Sequence, residues 1–382
     1  MRICLVYDCL YPVTVGGVER WYRRFAEALA RSGHEVTYLT TRQWDDSDVP
    51  VFPGVRVVAV TPGRQLYARA GRRRAGPPIV FGLAVFRHLL RHGRRYDVVH
   101  TASFPYFPLL AAGTIRPLRR YALVVDWVEL WSLAYWREYL GNARGRIGFD
   151  VQRLCLRLPQ RAFCFSSLVE ERLRAAGING EVTRLAGLSE APEPVLPGGS
   201  GSRVVVFAGR HIPEKRVPAL VPAFLAAREQ IPDLRCEIYG DGPEREEVLR
   251  LVREADAGDA IVAPGFVEES RVTAAIGHAL CLVLPSKREG YGLVVAEAAA
   301  QGTPSIVVAG ADNAAVELVE EGVNGAIAPS ASPDDLADAI IRVERAGPAL
   351  RESTADWYRQ HADRFSLERS LEIVERFYGS AT

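Results

Sequence analysis

Glu289 and Glu297 stand eight positions apart in PSKREGYGLVVAEAAAQG, residues 285–302, on either side of glycines that open a helical run. A helix starting near Gly292 leaves its first backbone N–H groups without intrahelical partners and carries the positive end of its dipole there, so an anion is stabilised at that point. Helical side chains lean toward the N-terminus. Glu297, on the second turn, then reaches hydroxyls on one side of a bound diphosphate while Glu289 reaches those on the other. This is the layout of a polyol-diphosphate site: ribose, diphosphate, hexose. A lone pair of glutamates at this spacing would be two solvated carboxylates. What argues otherwise is RVVVFAGRHIPEKR, an apolar β-run over 203–207 that ends at Gly209 and releases Arg210 and Lys215 at its C-terminal edge. Open α/β sheets bind ligands at that edge. Arg210 offers a planar fork and Lys215 a compact ammonium, and both suit a diphosphate. Lys215 and Lys287 are the only lysines in an otherwise arginine-based chain, which mildly favours a role for each.

The elements that must position these residues follow from periodicity. RICLVYDCLYPVTVGGVERWYRRFAEALARSGHEVTYLTT predicts a strand over 2–7, a loop closing on Gly16 and Gly17, a helix to about Ser32 and a strand over 35–40. Val18, Trp21, Phe25, Ala28 and Leu29 mark the helix's apolar face, and Gly33 its stop. Paired glycines let backbone approach a ligand. GxGxxG is absent from this loop, so the dinucleotide fingerprint fails. Further strands are predicted near 55–60, 97–100, 121–125, 161–165 and 181–184, with long helices over 79–92 and 146–157. A Gly/Pro/Ser-rich linker over 187–202 follows. Beyond it strands fall near 203–207, 235–239, 260–263, 280–284, 304–308 and 325–328, and a last helix near 367–378. The alternation implies βαβ units and parallel sheets. At 382 residues the chain suits two domains.

Together VGGVER, GRHIPEK, IYGDGPE, APGFVEE, REGYGLVVAEAAAQGTPSIV, EEGVNGAIAP and FSLERSLEIVERFY resemble the retaining, GT-B-fold glycosyltransferases of family four (group 1) over nearly the whole chain. The resemblance implies an α/β architecture of two Rossmann-like domains facing each other across a cleft. Residues 1–186 would bind the acceptor, 187–202 form the hinge and 203–365 bind the nucleotide sugar. The 366–382 helix would return to brace the first domain. It assigns Arg210 and Lys215 to the donor diphosphate, Glu297 to the ribose and Glu289 to the sugar hydroxyls. It gives the backbone of Gly292, Leu293 and Val294 to phosphate or sugar, Gly16 and Gly17 to the diphosphate after closure, and the backbone near Val267 to the base. Gly240 and Gly290 join the donor contacts. UDP-sugars are favoured over GDP-mannose by usage in the family.

One departure stands out. Members of the branch similar to WVELWSLAYWREYLG commonly carry a contact histidine after the fifth strand of the first domain, where this chain has Val128. Valine cannot hydrogen-bond, so Asp126 or Glu129 is expected to supply that contact. His100, closing DVVH, is a second candidate at a strand's edge. The implied reaction is hexose transfer from a nucleotide diphosphate to a saccharide, lipid-linked or secondary-metabolite hydroxyl, with retention and without a metal or cofactor. Two alternatives are a UDP-sugar 2-epimerase and a catalytically impaired sugar-nucleotide-binding subunit, the latter motivated by Val128. A phosphorylase of similar fold would need pyridoxal phosphate on a lysine, and neither lysine has that setting.

Composition bounds the rest. The formal net charge of +1 conceals a division: residues 1–190 hold 28 arginines and 16 acids, the remainder 19 basic and 30 acidic residues. No acid occurs between Val49 and Tyr96, where ten arginines fall among apolar residues. An anionic partner is implied, and the Arg-rich stretch 64–95 is expected to meet a phosphate-bearing lipid acceptor or an anionic membrane face rather than nucleic acid, for which no motif exists. Asp46 and Asp48 form DSD in a polar loop and are not read as metal ligands. Cys4, Cys9, Cys155, Cys164, Cys236 and Cys281 lack metal or redox spacing and read as small buried hydrophobes. A cytoplasmic location, peripheral to the membrane at most, is expected, with neither signal peptide nor spanning helix.

Overall fold

A computed structural model describes residues 1–45, 50–63, 76–187 and 202–379. Asp46, Asp48, nearly all of the 187–202 linker and the first part of the Arg-rich stretch lie outside the described residues. Backbone contacts divide the chain into two units: the first runs to Gly187 and takes back the C-terminal stretch from Leu367, and the second ends at Ser366.

In the first unit the order is β1 (Arg2–Val6), α1 (Gly17–Arg31), β2 (Glu35–Thr41), β3 (Val55–Thr61), α2 (Gly76–His92), β4 (Val98–Ala102), α3 (Tyr106–Arg119), β5 (Ala122–Asp126), α4 (Leu133–Leu140), α5 (Asn142–Arg157), β6 (Arg161–Cys164), α6 (Ser167–Ala175) and β7 (Val182–Arg184). The strands form one parallel sheet ordered β3-β2-β1-β4-β5-β6-β7. Buried on both faces, the central strands read as continuous apolar runs such as ICLV and LVV. The order reverses between β1 and β4, which places the topological switch beside the loop that ends at Gly16.

The second unit repeats the plan with β8 (Val204–Ala208), α7 (Leu220–Gln230), β9 (Arg235–Tyr239), α8 (Arg245–Glu254), β10 (Ile261–Gly265), α9 (Glu269–His278), β11 (Cys281–Leu284), α10 (Leu293–Ala300), β12 (Ser305–Val308), β13 (Gly325–Ala328) and α11 (Pro333–Gln360). Its sheet is parallel, ordered β10-β9-β8-β11-β12-β13. The switch falls between β8 and β11, the strands that release Arg210 and Glu289. α11 kinks at Gly347, just before Pro348, where proline removes a backbone donor. The last helix, α12 (Leu367–Gly379), belongs to the first unit, where Val374 and Tyr378 are fully buried.

Several helices of the first unit differ from the sequence-based expectation. α3 lies outside the expected helices; of its prolines, Pro105 sits at the N-cap and Pro108 in the first turn, where no intrahelical donor is lost, and Pro117 stands in the last turn. The helix expected over 146–157 starts earlier, at Asn142, and is preceded by α4, whose N-cap Ser132 side chain accepts from the Tyr135 amide at 3.2 Å.

Candidate active site

The loops after β8 and β11 converge on Glu289. Lys215, at the end of a short 3₁₀ turn after β8, forms an ion pair with Glu289 Oε1, and the Ser286 hydroxyl donates to the same oxygen at 2.7 Å. A second tie joins the loops: the Lys287 amide donates to the Glu214 carbonyl at 2.8 Å. Glu289 is buried, and its backbone pairs with the loop after β12, donating to Asp312 O at 3.1 Å and accepting from Ala314 N at 2.9 Å. Asn313 stiffens that pairing from beneath. Its amide donates to Ser286 O (3.2 Å) and Val308 O (2.7 Å), while its Oδ1 accepts from the Ala315 amide at 3.2 Å. Arg288 and Asp312 add an ion pair at 2.8 Å.

Three residues on, Gly292 caps α10 with φ +97°, a left-handed conformation that side chains rarely adopt. A Cβ there would meet Ala315 Cβ at 2.7 Å. The helix begins at Leu293 as expected, and Glu297 lies half-buried on its second turn. Arg210 is exposed at the end of β8, and Gly290 and Leu293 are buried beside the cap. Gly240 ends β9 at φ +116°, packed so closely on the Gly209 carbonyl that no side chain fits. Val267 follows β10, next to the exposed Phe266. One sheet edge therefore carries two cations, two carboxylates and a helix N-terminus, which is the equipment for a nucleoside diphosphate bearing a polyol.

In the first unit Gly16 is the N-cap of α1, and Gly17 its first residue. The Glu19 carboxylate folds back against Gly16 Cα so closely that any side chain at position 16 would displace it. Tyr7 OH donates to Glu19 Oε1 at 3.4 Å.

The expected sugar contact from Asp126 is corrected by the structure. Asp126 is fully buried, and both oxygens are engaged: Oδ1 with His100 Nε2 at 2.8 Å, Oδ2 accepting from Trp21 Nε1 at 3.0 Å. His100 is equally buried, its Nδ1 2.6 Å from the Tyr378 hydroxyl, so it too is unsuited to touch a sugar. Burial pushes the Tyr378 phenol far above its ordinary pKa. With Asp126 Oδ1 accepting from Nε2, the imidazole's Nδ1 is left to accept the Tyr378 hydroxyl. This polar core ties β4, β5, α1 and α12 together. Glu129 differs: it is half-buried at the edge of β5 and accepts from Trp131 Nε1 at 2.8 Å. Val128 is half-buried beside it.

Sequence reasoning missed Asn313 and Gln152, two of the buried amides that hold loops in place. The one available signal was local, since asparagine ahead of a short helical turn is a cap residue. All six cysteines are free and buried, and burial lifts the thiols of Cys164 and Cys281 to about 12.

Two family models match the chain. Residues 16–187 match the glycosyl transferase 4-like domain, and residues 194–361 match glycosyl transferases group 1. The D-inositol 3-phosphate glycosyltransferase of Actinosynnema mirum is 32% identical over 96% of this chain and 92% of that protein. The chain belongs to the group 1 glycosyltransferases. A glycogen synthase of Mycobacterium tuberculosis is 26% identical to this glycosyltransferase over 94% of its length and 90% of the relative's. Among solved structures, sucrose-phosphate synthase from Thermosynechococcus elongatus aligns with TM-score 0.83 at 22% identity, covering 100% of both chains. Anabaena HepE in complex with UDP and glucose aligns with TM-score 0.71 at 16% identity, over 99% of this chain and 100% of that one. The two parallel Rossmann-like sheets and these neighbours make the fold of this glycosyltransferase GT-B.

Proposed function

We propose that this glycosyltransferase moves a hexose from a nucleotide diphosphate, a UDP-sugar in preference to GDP-mannose, to an acceptor hydroxyl with retention of anomeric configuration. The observation that carries the reading is the Lys215–Glu289 pair, set at the β8/β11 switch and directly ahead of α10. An ammonium has three donors, so Lys215 can keep one on Glu289 and turn another to a phosphate oxygen. Arg210, Lys215 and the first amides of α10 bear the charge that builds on the departing diphosphate, and the reading needs no metal ion. Glu297 takes the ribose hydroxyls and Glu289 those of the hexose.

In the proposed step the acceptor oxygen attacks the anomeric carbon as the bond from that carbon to the phosphate oxygen breaks. The bonding pair stays with the phosphate oxygen, which takes the acceptor's proton. Support for a UDP donor comes from the solved neighbour that holds UDP and glucose. Thermal stabilisation by a panel of nucleotide sugars tests the reading, since a ligand at about 100 times its Kd adds about 2.7 kcal/mol. Stabilisation by one UDP-sugar, with product formed from a saccharide acceptor, is expected. Release of UDP with an isomerised sugar and no acceptor requirement would instead indicate an epimerase, and binding without turnover an impaired subunit.

A membrane contact is the second part of the proposal. α2 exposes Ile79, Leu83 and Leu90 on one face with Arg87 and Arg91, an apolar stripe flanked by cations of the type that lies on anionic lipid. None of the described helices is long and apolar enough to cross a membrane.

A further inference from the structure

The C-terminal edges of the neighbouring strands β4 and β5 carry an aromatic cluster at the margin of the hydrophobic core, with Phe104 and Trp131 packed against it. Trp127, Tyr135 and Trp136 are buried, whereas Phe104, Trp131 and Tyr139 are each only half-buried. The Trp131 ring centre lies 5.3 Å from that of Phe104 at 32° and 5.2 Å from that of Tyr139 at 63°.

The loop that presents Trp131 is held by the buried side chain of Gln152, which is 2% exposed. Its Oε1 accepts from Tyr106 OH (2.9 Å), Trp136 Nε1 (3.1 Å) and the Trp131 amide (3.2 Å), and its Nε2 donates to the Trp131 carbonyl at 2.9 Å. A buried amide bonded at both its oxygen and its nitrogen in this way fixes one loop conformation. Trp131 Nε1 in turn donates to Glu129 Oε2 at 2.8 Å, which locks a carboxylate to the indole edge.

We infer that Trp131, with Phe104 and Tyr139 beside it and Glu129 at its edge, is a stacking subsite for a neutral hexopyranose ring of the acceptor. The inference rests on the proposed transferase reading and adds the acceptor's chemical class. One face of a pyranose presents C–H groups, apolar and slightly positive, to the negative face of an aromatic ring. Its rim presents hydroxyls, for which a carboxylate with about four acceptor sites is a strong partner. The same carboxylate repels a phosphate, so a neutral ring is selected over an anionic headgroup. Loop and carboxylate are positioned before the ligand arrives, which lowers the ordering cost of binding.

Saturation-transfer NMR with methyl α-D-glucopyranoside and methyl α-D-mannopyranoside tests the inference, with glycerol as a control that has hydroxyls but no ring face. The wild-type protein is expected to transfer saturation to ring C–H protons of at least one pyranoside and not to glycerol. Trp131→Ala is expected to weaken that Kd at least tenfold while UDP still raises the melting temperature as in wild type. Glu129→Gln, which keeps the side chain's shape, is expected to weaken it several-fold, and serves if Trp131→Ala fails to fold. Equal pyranoside binding by wild type and both variants, or no pyranoside signal in a protein that binds UDP, overturns the inference and leaves the donor site standing. A wild type that binds neither UDP nor any other nucleoside diphosphate removes the transferase reading and the inference with it.

Discussion

Lys215 and Glu289 hold one another across two loops, and each has a further role proposed in the donor site. Replacing Lys215 by alanine removes the cation proposed to bear charge on the departing diphosphate and leaves Glu289 buried with only the Ser286 hydroxyl on Oε1. Loss of one such donor raises the barrier by about 3 kcal/mol, so kcat is expected to fall about a hundredfold or more, measured by steady-state product formation with circular dichroism confirming the fold. Gly292→Ala is a separate test of the helix terminus. Its left-handed backbone and the 2.7 Å approach to Ala315 Cβ are expected to cost about 1–3 kcal/mol in denaturant unfolding. The placement of Arg210, Lys215, Glu289 and Glu297 at one sheet edge was legible in sequence because strand end, glycine turn and helix start are local signals. Asp126 misled because its partners Trp21 and His100 are remote in the chain and meet it only across the folded sheet.

At the scale of elements, α12 is anchored through Tyr378, whose hydroxyl reaches His100 at the heart of the first unit's sheet. Tyr378→Phe strands the imidazole's Nδ1 and is expected to destabilise the first unit by about 1–3 kcal/mol in chemical denaturation without altering UDP affinity. α2 supplies a pH test. Burial lowers the His88 imidazole from 6.5 to about 4, with His92, Arg56 and Arg95 adding to the effect. The unfolded chain then takes up a proton between pH 6.5 and about 4 that the folded unit refuses. Stability present above pH 6.5 is therefore lost as the pH falls through that window. The melting temperature of His88→Gln is expected to fall less steeply across it than that of wild type. Both parallel sheets were legible from the alternation of apolar runs with helical patterns. α3 was not, because its segment carries three prolines, of which only Pro105 and Pro108 fall where the helix start tolerates them.

For the whole molecule, charge is segregated: the first half is basic and the second acidic, at a net formal charge of only +1. With α2's apolar face, this gives an expected binding to vesicles containing anionic lipid that weakens from low to physiological salt, read by co-sedimentation. Equal binding to neutral vesicles would count against it. The division into two units was legible from length and from the Gly/Pro/Ser-rich linker. Acceptor and donor identity were not, because they depend on side chains brought together from several loops. The central claim concerns the diphosphate, and calorimetric titration of UDP, with GDP and uridine alongside, into wild type and Lys215→Ala tests it most directly. At least a tenfold loss of nucleoside diphosphate affinity in the variant, with uridine affinity unchanged, is the expected result. Equal diphosphate affinity in the two proteins would contradict the account.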